Sequence, residues 1–107
     1  MAVMKFYPVA GASVGTSAGV LYAATLGASG TSGVITTGPD MLIRIVATGA
    51  ITVRFGASAT ITAAGAGDML IPANTIDIWD MGHLNNAITI FSIAATTTIT
   101  VSQVVKN

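Results

Sequence analysis

The chain has no cysteine and no glutamate, and charged residues make up only 7% of it, where an ordinary soluble domain carries roughly a quarter. Without cysteine there is no disulfide, no thiol redox chemistry and no zinc-thiolate site. The cations are Lys5, Arg44, Arg54 and Lys106, the anions Asp40, Asp68, Asp77 and Asp80, and the formal net charge is zero. Phosphate backbones are bound by clustered Lys and Arg that displace counterions. Four scattered cations do not make such a patch, so nucleic acid is not an expected partner.

The shortage extends to catalytic groups. Acid–base chemistry needs titratable groups whose environments drive their pKa values apart, and four separated Asp with a single His, His83, offer no such pairing. Ser and Thr are plentiful but have no evident base, and neither a G-x-S-x-G turn nor a phosphate-binding glycine pattern occurs. Asp77, Asp80 and His83 fall at i, i+3 and i+6, but odd spacings on a strand send side chains to opposite faces. They read as a solvated turn, not as metal ligands. The sequence is therefore read as that of a non-enzyme without a cofactor.

A long hydrophobic run is missing too. Phe6 to Pro39 is free of charge, but it contains Gly11, Gly15, Gly19, Gly27, Gly30 and Gly33 and lacks the ~20 consecutive apolar residues of a span. Pro8 and the glycines likewise interrupt the apolar core a signal peptide would need. No membrane partner is expected.

What is present is a small, apolar, neutral chain. Its 107 residues suit one domain able to bury over ~60% of its unfolded surface. A mean hydropathy of +0.79 with no net charge removes the repulsion that keeps lone domains apart. Much of the folded surface is expected to be covered by other subunits, which makes a homo-oligomer, a trimer among the options, the first expected partner.

Alternation of apolar and small polar residues, broken by Gly, Pro and Asn, predicts strands throughout. Met4, Phe6 and Tyr7 lie in an opening segment with aromatics on both faces, either an edge strand or an arm reaching a neighbour. Residues 9–19 read as loop. Strands are predicted over Val20–Leu26 and Val34–Thr37. In Met41–Thr48 the residues Met41, Ile43, Ile45 and Ala47 share one face, and Gly49 is read as a turn into Ile51–Phe55. That places Arg44 and Arg54 on the outer face of one hairpin. A brief strand at Thr60–Thr62 is followed by one at Asp68–Pro72, held to an edge because Pro cannot donate to a ladder. In Thr75–Met81, Ile76 and Ile78 are assigned inward, Asp77 and Trp79 outward. Ala87–Ile93 and Thr97–Val105 are read as a closing hairpin. The expected fold is all-β: a single antiparallel β-sandwich or jelly roll of about eight short strands, one domain over residues 1–107. An echo between Ile51–Ala63 and Ile88–Val101, and the tetrapeptide DMLI at Asp40 and Asp68, have unequal spacings and do not define a repeat.

The succession VRFG, DMLIPANTIDIWDMG and AITIFSIAATTTITVSQV, between Arg44 and Val104, resembles the small β-sandwich virion proteins of tailed bacteriophages. The resemblance implies a capsid cement or decoration protein located in the virion and assembled in the host cytoplasm, with the major capsid protein or another virion protein as partner. Head–tail or fibre-associated components are the alternative within it. It implies no catalytic residues. Met4, Phe6, Tyr7, Trp79, Arg44 and Arg54 are the candidate partner contacts. Two other readings follow from the residues alone: a carbohydrate-binding or adhesin module in which Trp79, Tyr7 and Tyr22 stack on sugars, and a Thr-ladder surface built on Thr60–Thr62 and Thr98–Thr100.

Overall fold

The structure, a computed structural model, describes the backbone of residues 6–8 and 19–106 and the side chains of residues 19–104. Met4 and the loop read over residues 9–18 lie outside the described residues, as do the side chains of Phe6 and Tyr7. Every regular element described is a strand: β1 (Phe6–Pro8), β2 (Val20–Leu26), β3 (Ile35–Thr36), β4 (Leu42–Ala47), β5 (Ile51–Gly56), β6 (Met69–Ile71), β7 (Ile76–Asp80), β8 (Ala87–Ser92) and β9 (Thr97–Lys106). They form two antiparallel sheets. In the first, β4 lies between β7 and β9, and the other edge of β9 is shared end to end by β2, along Thr97–Ser102, and β1, along Val104–Lys106. The second runs β3-β8-β5-β6.

Four pairings define the winding: β2 with β9, β3 with β8, β4 with β7 and β5 with β6. That is one long hairpin rolled up, the jelly-roll form of a β-sandwich. From β2 onward every connection crosses between sheets except the one from β5 to β6. The short corners can do this because three extended residues span the ~10 Å between packed sheets.

The two hairpins expected from short connections are therefore corrected. Residues 48–50 carry the chain from β4 in the first sheet to β5 in the second, and residues 93–96 carry it back from β8 to β9. Arg44 and Arg54 stand on different sheets. The two corners stack: Ile93 donates its N–H to the Ala50 carbonyl at 3.0 Å, and Thr48 N–H reaches the Thr98 carbonyl at 3.0 Å. Between them, Ser92 Oγ meets Thr97 Oγ1 at 3.0 Å, so two fully buried hydroxyls satisfy each other.

Ile35, Ile43, Ile45, Ala47, Ile51, Val53, Ile71, Met81, Ile88, Ile90, Ile99 and Val101 form the core. Eight of these are isoleucine, a β-branched side chain whose stiffness suits a pleated surface. Each fully buried Ile stabilises the fold by about 2 kcal/mol relative to exposure. The alternation read in β4 is observed, with Ile43, Ile45 and Ala47 buried and Leu42, Arg44 and Val46 on the other face.

In β7 the phase is the reverse of the expectation. Ile76 and Ile78 are 57% and 38% exposed, whereas Trp79 packs on the core and meets the Phe55 ring at 5.6 Å, tilted by 54°. The larger apolar surface of the indole wins the inward side. Its Nε1 is buried without an acceptor among the described residues.

Candidate functional site

The outer faces of the two sheets differ. On the second sheet, residues 57–68 between β5 and β6 fold back as a strap over the strands they leave. Thr52 donates its hydroxyl to the Gly65 carbonyl at 2.7 Å, and Thr89 donates to the Thr62 carbonyl at 2.9 Å. Arg54 grips the strap's end: Nε and Nη2 meet Asp68 Oδ1 and Oδ2 at 3.1 and 2.9 Å, and Nη1 bonds Thr62 Oγ1. This two-pronged arrangement suits the planar guanidinium. Gly65 N–H adds a 2.7 Å bond to Asp68 Oδ2. The Arg54 hydrogen bond first, and the Gly65 N–H after it, hold the Asp68 carboxyl below the usual Asp value, against a smaller opposing effect of burial.

The strap explains why Thr52 and Thr89 are buried although they point away from the core. It also replaces the strand expected at Thr60–Thr62, where the backbone is turn and irregular. The two Thr-rich segments consequently lie on different sheets, one in the strap and one in β9, and form no common array. Arg54, a candidate partner contact, has its guanidinium committed to the chain's own strap.

On the first sheet the outer face is open over β4 and β7. Leu42, Arg44 and Val46 project from β4, and the register places Asp80, Ile78 and Ile76 beside them in that order. Leu42 and Val46 are half-buried, and Ile76, Ile78 and Asp80 exposed. Ser102 and Val104, beside Arg44 and Leu42 on β9, are buried, which confines the open part to the β4–β7 side. Among the described strands, β7 is also an edge of its sheet. Leu70 on β6, 58% exposed, projects instead from the outer face of the second sheet beside Thr52. The β4–β7 surface is a group of large aliphatic side chains with one cation and one carboxylate.

Other candidates disperse. Trp79 faces inward and packs against the core, leaving only part of its side chain exposed. β1 pairs with β9 as an edge of the chain's own sheet. Tyr22 follows a register shift in β2 and packs against the core, where burial raises its hydroxyl pKa above the usual phenol value. His83 Nδ1 lies 3.3 Å from both carboxylate oxygens of Asp40, on an exposed turn. Asp80 instead accepts from Gly82 N–H at 2.9 Å. Among the described residues no three His, Asp or Glu side chains gather as a metal site would require. Nor is any helix among them long and apolar enough to cross a membrane.

Hydrophobic alternation missed Ile76 and Ile78 as surface residues because β7 carries large apolar side chains on both faces. A usable signal was the neighbouring Trp79, which has more apolar area to bury. Comparisons with protein-family models, curated proteins and solved structures give no match.

Proposed function

We propose that this chain is a structural subunit that binds other protein surfaces and transforms no substrate. Within that class the residues best support a virion cement or decoration protein, one that oligomerises and binds the capsid surface of a tailed phage. The observation that carries this is the contrast between the two outer faces. One is largely covered by the chain's own strap, with Leu70 left exposed at its β6 edge, while the other leaves Ile76 and Ile78 in water beside Leu42 and Val46. Exposed aliphatic groups gathered on one face mark contact surfaces more often than scattered ones do. With few charges to desolvate, such a face can be covered without the cost of burying ions.

Eight-stranded jelly rolls serve in capsid and lectin domains alike, so architecture leaves the choice open. The inward Trp79 disfavours the lectin side. The expected partners are a second copy and the major capsid protein or another virion protein, and the expected location is the virion.

The test is co-sedimentation of the purified chain with phage shells that lack it, set against isolated tails. Saturable recovery with shells is the expected result. Recovery with tails alone would move the chain to a head–tail or fibre role, and recovery with neither would end the virion reading.

A further inference from the structure

The open β4–β7 face carries two opposite charges that no ion pair engages among the described residues. Arg44 and Asp80 are diagonal neighbours there, since Leu42 lies opposite Asp80 and Arg44 opposite Ile78. Neither forms an ion pair among the described residues, where the pairs are Arg54 with Asp68 and His83 with Asp40. Covering this face with anything apolar would strand the guanidinium, and a buried unpaired charge is strongly unfavourable. Whatever docks must supply a carboxylate beside aliphatic surface. The same face of another copy does both.

We propose that the β4–β7 face docks on its own equivalent in a second copy of the chain, about a two-fold axis, with Arg44 of each copy meeting Asp80 of the other. An axis lying in the plane of contact and passing between Arg44 and Asp80 runs close to Leu42 and Ile78. Each of these then meets its own equivalent, as a self-complementary contact requires. Strands of the two copies cross steeply, near the orthogonal mode of sheet packing. A standard interface takes ~800 Å² from each partner, about 14% of this chain's 5761 Å².

Strand addition at the β7 edge is the less favoured geometry. Asp77 lies on the Trp79 side of β7, opposite the fully buried Ile45, and an inward charge on an edge strand discourages pairing with another chain. The proposal rests on the reading of the chain as an assembling subunit but does not depend on the capsid as its target.

Analytical ultracentrifugation of the full chain tests it with R44D, D80R and the double variant R44D/D80R. The wild type is expected to be a dimer. Two charge pairs are lost per contact in each single variant, each worth at least ~10-fold, so R44D and D80R alone should associate at least ~100-fold more weakly. Mixed in equal amounts they should form a heterodimer, because one contact keeps the native Arg44–Asp80 pair and the other is rebuilt with both charges reversed, and the double variant, with both contacts reversed, should dimerise by itself. If a reversed charge unfolds the chain, R44Q and D80N replace it and must each weaken association at least ~10-fold.

A wild type monomeric at ~100 μM, a three-fold particle, single variants that dimerise normally, or a mixture that stays monomeric would each overturn the two-fold contact. Shell binding is scored separately. A monomer that still binds shells refutes this contact alone, and a dimer that ignores shells refutes only the capsid reading.

Discussion

Gly49 sits buried where the β4–β5 corner stacks on the β8–β9 corner, and replacing it with Ala tests that stacking directly. A Cβ added there would lie 2.8 Å from the Ala94 Cβ and closer still to Thr97 Oγ1. Carbon atoms in contact prefer about 3.5–4.0 Å, so the corners must separate by roughly an ångström or distort. Thr97 has little freedom to yield, being fully buried with its hydroxyl bonded to Ser92 Oγ. Gly49 is not in the left-handed backbone region, so the effect is steric alone. Overpacking of this kind costs about 1–3 kcal/mol. At ~2 kcal/mol the melting temperature of a domain this size falls by about 8–16 °C. Urea unfolding should show a lower midpoint with an unchanged slope.

Gly33→Ala is the control, since a Cβ there meets nothing within 4 Å, and it should change stability by less than ~0.5 kcal/mol. Removing the obstructing hydroxyl as well, in Gly49→Ala/Thr97→Ala, should cost less than the sum of the single changes. If Gly49→Ala proved as mild as Gly33→Ala, the corners would not be stacked as described. A simple hairpin turn at Gly49 would then be the better description.

Two further outcomes follow from the packing and the strap. Trp79→Ala should destabilise the isolated chain by about 2–4 kcal/mol in urea, whereas Arg44→Ala should stay within ~0.5 kcal/mol; comparable small effects would put the indole back on the surface. Because the folded Asp68 carboxyl lies below its unfolded value of ~3.9, its contribution is complete above that value and is lost as pH falls through the folded one. Acid titration below about pH 5 should therefore lower the melting temperature of the wild type more steeply than that of Asp68→Asn, and parallel curves would remove the strap's clasp from the account.

Individual strands were legible in the sequence where one face alone is apolar. β2 has the predicted bounds Val20–Leu26, and β4 buries Ile43, Ile45 and Ala47 as predicted. Pro72 correctly marks the end of an edge strand, since β6 borders the second sheet. Partner choice was not legible. Side-chain alternation tells which face of a strand is buried but not which strand lies beside it, and three residues serve equally for a turn within a sheet or a step to the next. Thus β4–β5 and β8–β9 imitate hairpins.

Thr60–Thr62 imitates a strand for a related reason. Its residues alternate because the strap also has an inner side, with Arg54 and Thr89 for neighbours instead of a ladder. The candidate contacts divide similarly. Arg44 was identifiable as an outward strand charge, but its setting among Leu42, Val46, Ile76 and Ile78 appears only once β7 is placed beside β4. The echo between Ile51–Ala63 and Ile88–Val101 joins β5 to β8, which pair side by side, but then continues into the strap in one case and into β9 in the other.

β9 has a consequence in time. It lies inside the first sheet, bordered by β4 on one side and by β1 and β2 on the other, yet it comes after every other described strand. During synthesis β4 and β7 can pair with each other, but β1 and β2 have no described partner in that sheet until Thr97–Lys106 has left the ribosome. Pairings between segments so distant in sequence form slowly, and unpaired strand edges exposed meanwhile invite association with other chains. The scarcity of charge that suits a covered surface in the finished molecule gives the nascent one little protection during that wait.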